Sequence, residues 1–173
     1  MKNDLLPGQR QKLVVVGNGM AGVRAIEELL KIAPDLYDIT IFGAEPHPNY
    51  NRILLSPVLA GEQTLDEIVL NPLAWYAEQG IALHCGHRVT RIDRAQRSVH
   101  ATAADGSEIS APYDRLLLAT GSLPFILPVP GHDLAGVIAY RDIADTQAMI
   151  DAATRYRHAV VIGGGLLGLE AAN

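Results

Sequence analysis

A single cysteine, Cys85, stands among the 173 residues, so no internal disulfide can form. That usage suits a reducing compartment, and the cytoplasm is the expected location. Positive charge is also scarce. Fourteen Lys and Arg face 19 Asp and Glu, for a net charge of -5, and no basic run or face stands out, which argues against nucleic acid as a partner. Long apolar runs are missing too. The longest, such as Leu116-Leu117-Leu118-Ala119, are strand-sized and far too short to span a bilayer. The first twelve residues are polar, carry Pro7 and Gly8, and lack the apolar core of a signal peptide. What is present is a 49% hydrophobic chain, long enough to bury the core of one domain and part of a second.

Hydrophobic periodicity divides this chain. Leu13 to Val16 is a short β-branched run that reads as a fully buried strand. It enters Gly17-Asn18-Gly19-Met20-Ala21-Gly22, after which Val23, Ile26, Leu29, Leu30 and Ala33 share a helical face that Pro34 ends. Tyr37 to Phe42 is a second strand, and the strand–helix–strand order implies parallel pairing. Residues 43 to 61, rich in Pro, Asn and His, read as mostly loop. Thr64-Leu65-Asp66-Glu67 has the spacing of a capping box for a short helix. Asn71-Pro72 reads as an N-cap followed by proline at the first helical position, with Gly80 closing a helix that holds Trp75 and Tyr76. Ile81 to Cys85 resembles a third parallel strand. From Arg88 to Ile109 the pattern alternates (Val89, Ile92, Val99, Ala101), with Asp105-Gly106 as a hairpin turn, so an inserted antiparallel meander is expected before a fourth buried strand, Arg115 to Ala119. Pro124, Pro128, Pro130 and Gly131 make a stiff connector. Residues 142 to 156 read as helix and His158 to Ile162 as another buried strand, which enters Gly163-Gly164-Gly165-Leu166-Leu167-Gly168.

The two glycine segments match position for position, and each follows a strand pattern and opens a helix, as a dinucleotide fingerprint requires. The spacing has a chemical reason. A first glycine makes the tight turn, a second lets backbone approach a pyrophosphate, and a third lets helix and strand pack closely. Phosphate then meets the unpaired N–H groups and positive dipole end of the helix. An acid about 20 residues beyond the glycines should meet the ribose hydroxyls. Position 43, the first place to look, is glycine. The nearest acid, Glu45, serves if the strand end is displaced and is otherwise a solvated loop residue.

With both motifs placed, the chain resembles the pyridine-nucleotide–disulfide oxidoreductase superfamily, in which an FAD domain is interrupted by a NAD(P)H domain. Tyr113-Asp114-Arg115-Leu116-Leu117-Leu118-Ala119-Thr120-Gly121-Ser122 looks like its second flavin-contacting strand and crossover. Within the superfamily, the glycine turns together with Tyr50-Asn51-Arg52-Ile53-Leu54-Leu55-Ser56 and Leu169-Glu170-Ala171-Ala172 resemble the N-terminal part of bacterial NAD(P)H-dependent nitrite reductase large subunits. This resemblance implies an α/β fold: a Rossmann-like FAD-binding domain over residues 13–123 with a parallel sheet and inserted meander, lacking its returning C-terminal part. A proline-rich connector over 124–141 would follow, then the first strand and helix start of a second Rossmann-like NAD(P)H domain over 142–173, with residues 1–12 as a polar tail. It implies FAD held by Gly17, Asn18, Gly19, Met20, Ala21 and Gly22, ribose met by Glu45, Arg52 near the phosphates or flavin, Val89 at the adenine, and Ala119, Thr120 and Gly121 close to the cofactor. Gly163, Gly165, Leu166, Leu167, Gly168 and Glu170 would serve NAD(P)H. No catalytic residue is assigned.

Two departures narrow the branch. Ferredoxin-reductase-like members carry lysine after the serine matching Ser56, where this chain has Pro57. There is also no cysteine between Glu45 and Ser56, so electrons cannot pass to a neighbouring disulfide and must leave to a separate acceptor. The resemblance then implies hydride transfer from NAD(P)H to FAD, with an iron–sulfur cluster and sirohaem in a distant C-terminal region delivering electrons to nitrite. Dinucleotides, a small nitrite reductase subunit and a homodimeric copy are the implied partners. The chain is expected to be a front portion of such a protein that does not catalyse alone, holds FAD weakly and dimerises or aggregates through an open strand edge. A rubredoxin or ferredoxin reductase and a non-redox nucleotide-binding domain are the alternatives.

Other groups read as structural. His84-Cys85-Gly86-His87 lacks a second ligand cluster at zinc-site spacing, Ser56 and Ser122 lack a nucleophile-elbow context, and Asp133, Asp142 and Asp145 look like loop and helix-start residues.

Overall fold

A computed structural model describes residues 9–173, and residues 1–8 of the polar N-terminal segment lie outside the described residues. The chain divides into two compact units: residues up to Tyr50 with Leu70–Gly121, and Asn51–Val69 with Ser122–Asn173.

The first unit is built on a four-stranded sheet. Strand β1 (Gln11–Val16) begins two residues before the expected apolar run, leads through the first glycine turn into helix α1 (Met20–Ile32), and is followed by β2 (Tyr37–Phe42). After a short ribbon of β3 (Asn49–Tyr50) and β4 (Val69–Asn71), with helix α2 (Leu55–Leu59) between them in the chain, helix α3 (Leu73–Glu78) leads to β5 (Ala82–His84). An antiparallel meander of β6 (His87–Asp93), β7 (Ser98–Ala103) and β8 (Glu108–Pro112) precedes β9 (Arg115–Leu118). The sheet order is β5-β2-β1-β9, with β1 parallel to both β2 and β9 and β2 parallel to β5. The expected α/β architecture, parallel sheet plus inserted meander, is therefore present.

Alternation along the buried strands sends successive side chains to opposite faces. Leu13, Val15, Ile39 and Ile41 pack with Ile26 of α1 and with Tyr76 and Ile81. Val14, Val16 and Phe42 pack on the other face with Val99 and Ala101 of the meander. Both faces of β1 are thus covered, which is why its sequence is a continuous apolar run. Helix α1 stops at Ala33, whose N–H reaches the Leu29 carbonyl at 2.8 Å; Pro34 has no N–H to continue the pattern.

Several local expectations are corrected. Asn71 does not cap α3: Pro72 holds that position with no side-chain cap bond, and the Asn71 amide is spent on Asn49 and Glu27. The Thr64–Glu67 pattern gives only a single 3₁₀ turn, Asp66–Ile68, with Thr64 N–H donating to the Glu67 carboxylate at 2.7 Å. In the meander, Gly106 takes φ 84° in the expected turn, whereas the β6–β7 turn has Arg97 at φ 48° and no glycine, its Gln96 N–H donating to Asp93 at 2.9 Å.

The second unit holds a 3₁₀ turn (Arg52–Leu54), α2 (Leu55–Leu59), α4 (Ile143–Arg155) and α5 (Leu166–Ala172). The segment read as mostly loop therefore contains ordered turns and a short helix, because Leu55 and Val58 are buried and α2 packs against α4 and α5. Asp142 caps α4 in a reciprocal capping box with Asp145. His158–Ile162 forms no strand: Val160 and Ile162 are 88% and 75% exposed. A strand exists only as one side of a hydrogen-bonded ladder, and no strand runs beside this segment among the described residues. The helix start that follows it is present as α5.

Candidate functional site

The first glycine turn lies at the carboxyl ends of β1, β2 and β9, where open parallel sheets bind ligands. Gly17 takes φ 112°, a conformation that L side chains rarely adopt, and a Cβ there would collide with the Ala119 carbonyl. Its N–H donates to the Phe42 carbonyl at 2.8 Å, and the Ala119 N–H donates to Val16 at 2.8 Å, so the turn is tied to both neighbouring strands. A Cβ at Gly22 would meet the Ala119 Cβ at 2.9 Å and the Gly17 oxygen at 3.0 Å. Nothing lies within 4 Å of a Cβ at Gly19. Two glycines thus close the turn onto the sheet and one leaves its front open. Gly19 caps α1 without a side-chain bond, and the first intrahelical bond runs from Val23 N–H to the Gly19 carbonyl at 3.1 Å. The amides of Met20, Ala21 and Gly22 have no carbonyl one turn back to receive them.

Beside this turn, Gly43 leaves room for Asn18: a Cβ at 43 would come within 2.9 Å of the Asn18 Cβ. This explains why no acid stands at 43. Glu45 lies two residues further on. Its carboxylate accepts from the Tyr50 hydroxyl at 2.6 Å, and its carbonyl accepts from Gly86 N–H at 2.8 Å. Val89 packs half-buried on the meander side of the core. Thr120 and Gly121, the latter at φ 74°, continue β9 past Ala119.

The remaining sequence candidates lie in the second unit. Arg52 donates to the Arg141 carbonyl at 3.0 Å. Gly163 takes φ 134°, Gly165 caps α5, and a Cβ at Gly168 would collide with the Gly163 carbonyl, repeating the geometry of the first turn. Leu166 and Leu167 are exposed on the first turn of α5. Glu170 accepts from the Ser56 hydroxyl, which in turn accepts from Tyr140 at 3.0 Å. Burial first, and then the Glu170 charge, push the Tyr140 hydroxyl above its usual pKa.

His84 stacks on Phe42 with centroids 5.0 Å apart, and burial lowers its pKa. Cys85 is half-buried, donates to the His47 carbonyl at 3.3 Å, and is pushed up by burial. Among the described residues no group of three or more His, Cys, Asp or Glu side chains could hold a metal ion, and no helix is long and apolar enough to cross a membrane.

One polar cluster carries no sequence signal. Asn49 Nδ2 donates to Asn71 at 2.8 Å, and Asn71 Nδ2 donates to Glu27 at 2.9 Å. The Asn71 amide is the main cause that holds the Glu27 carboxyl below its usual 4.5, Arg24 helping and burial opposing. A depressed folded-state pKa adds stability that is full above the unfolded value and is lost as pH falls through the folded one. Glu27→Gln is therefore expected to flatten the decline of Tm with pH from about 4.5 downward. Calorimetry across that range checks it, and parallel curves for both proteins would refute the linkage.

A parallel sheet, a glycine turn opening into a helix at the carboxyl ends of its strands, and a second glycine turn that opens α5 define a dinucleotide-binding α/β protein. The chain belongs to the pyridine nucleotide-disulphide oxidoreductase family, whose sequence profile matches residues 11–173. It is 58% identical over 163 residues to a nitrite reductase [NAD(P)H] of Bacillus subtilis, covering 94% of this chain and 20% of that protein. An assimilatory nitrate reductase electron transfer subunit of the same organism is 52% identical, with 95% of this chain and 21% of that protein covered. Among solved structures, the water-forming NADH oxidase from Lactobacillus brevis bound to NADH superposes with TM-score 0.84 and 26% identity, over 94% of this chain and 36% of that one. The chain spans about a fifth of the length of those two curated relatives.

Proposed function

We propose that this chain is the flavin-binding, NAD(P)H-oxidising portion of a nitrite reductase large subunit that reduces nitrite to ammonia. The observation that carries the reading is the first glycine turn, closed onto the sheet at Gly17 and Gly22 and open at Gly19. That pattern fits a pyrophosphate: a diphosphate needs bare backbone to approach and amides to receive it, and side-chain space is vacant only where it would sit. The nitrite assignment is supported by the 58% identity to a nitrite reductase.

When bound, FAD supplies a redox centre that takes a hydride from NAD(P)H and passes its electrons on to a separate acceptor. The chain's own part is binding and placement. The amides of Met20, Ala21 and Gly22 hold the diphosphate, Glu45 accepts from the ribose hydroxyls, Val89 meets the adenine through its backbone, and Ala119, Thr120 and Gly121 border the cofactor. Arg52 serves the phosphates or flavin by charge. Gly163, Gly165, Leu166, Leu167, Gly168 and Glu170 belong to the NAD(P)H subsite. Residues 13–123 form the FAD-binding part, 124–141 the connector and 142–173 the start of the NAD(P)H-binding part. An iron–sulfur cluster and sirohaem would belong to the remaining length of such a protein, with a small subunit and a second copy as partners. A cytoplasmic location fits the lone half-buried Cys85.

An absorbance scan of the chain after FAD addition and ultrafiltration tests this. Flavin absorption acquired from the added FAD is expected, weakly held, with no reduction of it by NADH in this chain alone. Retention of ADP with no retention of FAD would instead favour a non-redox nucleotide-binding domain.

A further inference from the structure

Inside the first fingerprint turn, Asn18 is the residue whose identity the glycine pattern leaves open, yet its side chain is held on three sides. The Tyr76 hydroxyl of α3 donates to Asn18 Oδ1 at 2.9 Å. Asn18 Nδ2 donates to the His47 carbonyl at 3.4 Å. Its Cβ occupies the space that a side chain at Gly43 would need. Tyr76 itself is 2% exposed, and the backbone of Asn49 hydrogen-bonds the same phenolic oxygen. One buried hydroxyl therefore joins the glycine turn to the loop 43–50 from both its partners.

That loop carries Glu45 and is fixed from its far end as well. Glu27 can only accept, so the Asn71 amide must present its Nδ2 to it; Asn71 Oδ1 then receives the Nδ2 of Asn49. Glu45 is further aligned by the Tyr50 hydroxyl within the same loop. Helix α1, the glycine turn, α3 and the loop form one connected polar frame whose centre is the Tyr76–Asn18 bond.

We propose that Tyr76 is a positioning residue for the adenosine end of the dinucleotide site, fixing through Asn18 the glycine turn against the loop that carries Glu45. This rests on the FAD reading given above and deepens it. It also gives position 43 its reason: glycine there lets Asn18 take up the connection, and the ribose-binding acid moves to Glu45 at the point where the loop is braced. Tyr76 touches no ligand. Its effect passes through Asn18 and the loop, which separates it from an ordinary core tyrosine whose hydroxyl only satisfies a buried acceptor.

A double-mutant cycle distinguishes the two roles. FAD is titrated, by quenching of its fluorescence, into the wild-type chain, Tyr76→Phe, Glu45→Gln and the double variant, and thermal unfolding is recorded without FAD. Tyr76→Phe should raise the FAD Kd about five- to tenfold, the scale of one buried hydrogen bond, and should add less than about twofold once Glu45 is already Gln. Hydrogen exchange at the Gly43 and Gly86 amides should quicken in the FAD-free Tyr76→Phe protein. Equal losses of affinity in both backgrounds, or a Tyr76→Phe protein with wild-type affinity and exchange, would overturn the proposal. If Tyr76→Phe does not fold, Asn18→Ala removes the hydroxyl's acceptor, keeps the Cβ beside Gly43, and must show the same non-additivity with Glu45→Gln. A wild-type chain that takes up no FAD defeats the FAD reading itself, a result distinct from any of these.

Discussion

Alanine at Gly17 is expected to abolish FAD binding and to remove much of the stability of the first unit. Two separate costs meet at this residue. Its φ of 112° lies where a side chain is strained, at about 1–3 kcal/mol for a sparsely populated conformation. The added Cβ would also overlap the carbonyl of Ala119, a backbone group that cannot swing aside. Ala119 donates its own N–H to Val16, and β1 pairs with β9 from Leu13↔Arg115 to Val16↔Leu118. Relief would therefore mean unzipping the end of that ladder, and the turn in front of α1 would move with it. A loss of roughly 3 kcal/mol or more is a large share of the 5–15 kcal/mol that a domain commands. Denaturant unfolding and FAD titration on Gly17→Ala measure both effects. A variant with the wild-type midpoint and affinity would show that the turn is not the rigid cradle described above.

Much of the first unit was legible in the sequence because its signals are local. The run Leu13–Val16 announced a strand covered on both faces, and the structure buries all four residues between α1 and the meander. The fingerprint glycines were legible because their spacing lies within six consecutive residues, although only Gly17 answers to its own backbone: Gly22 must clear Gly17 and Ala119, and Gly19 leaves the front of the turn bare. The polar frame was not. Tyr76 and Asn18 lie 58 residues apart, and a side-chain amide carries no periodicity that would pair it with a distant hydroxyl. Asn71 illustrates the conflict directly. Beside Pro72 it has the local chemistry of an N-cap, but the buried Asn49 and the partly exposed Glu27, 22 and 44 residues away, offer its amide better bonds. Tertiary hydrogen bonding therefore overrode a cap worth about 1 kcal/mol. His158–Ile162 failed in the opposite direction. Its apolar, β-branched composition is suited to a strand, but composition cannot supply the neighbouring strand that a ladder requires. The Arg94–Arg97 turn escaped because Arg97 takes a positive φ without glycine or asparagine to mark it.

The sharpest separation of fold from function should come at Gly19. Unlike Gly17 it has an ordinary extended backbone, φ −88° and ψ 174°, and a Cβ there touches nothing within 4 Å. Valine at this position should therefore still fold, losing only about 1 kcal/mol for a poorer N-cap on α1. Its branched side chain would nevertheless stand in the open space before the amides of Met20, Ala21 and Gly22. A diphosphate held at hydrogen-bond distance from those amides would meet it, and charge-assisted bonds worth about 1.5–3 kcal/mol each would be lost together. The expected result is a fall in FAD affinity of at least roughly a hundredfold, corresponding to about 2.7 kcal/mol. A stability loss of no more than about 1 kcal/mol while flavin retention disappears would carry the assignment, since general damage to the fold does not produce that pair of results. If Gly19→Val held FAD as tightly as the wild type, the diphosphate could not lie over this helix end, and the nucleotide would have to be sought elsewhere on the chain.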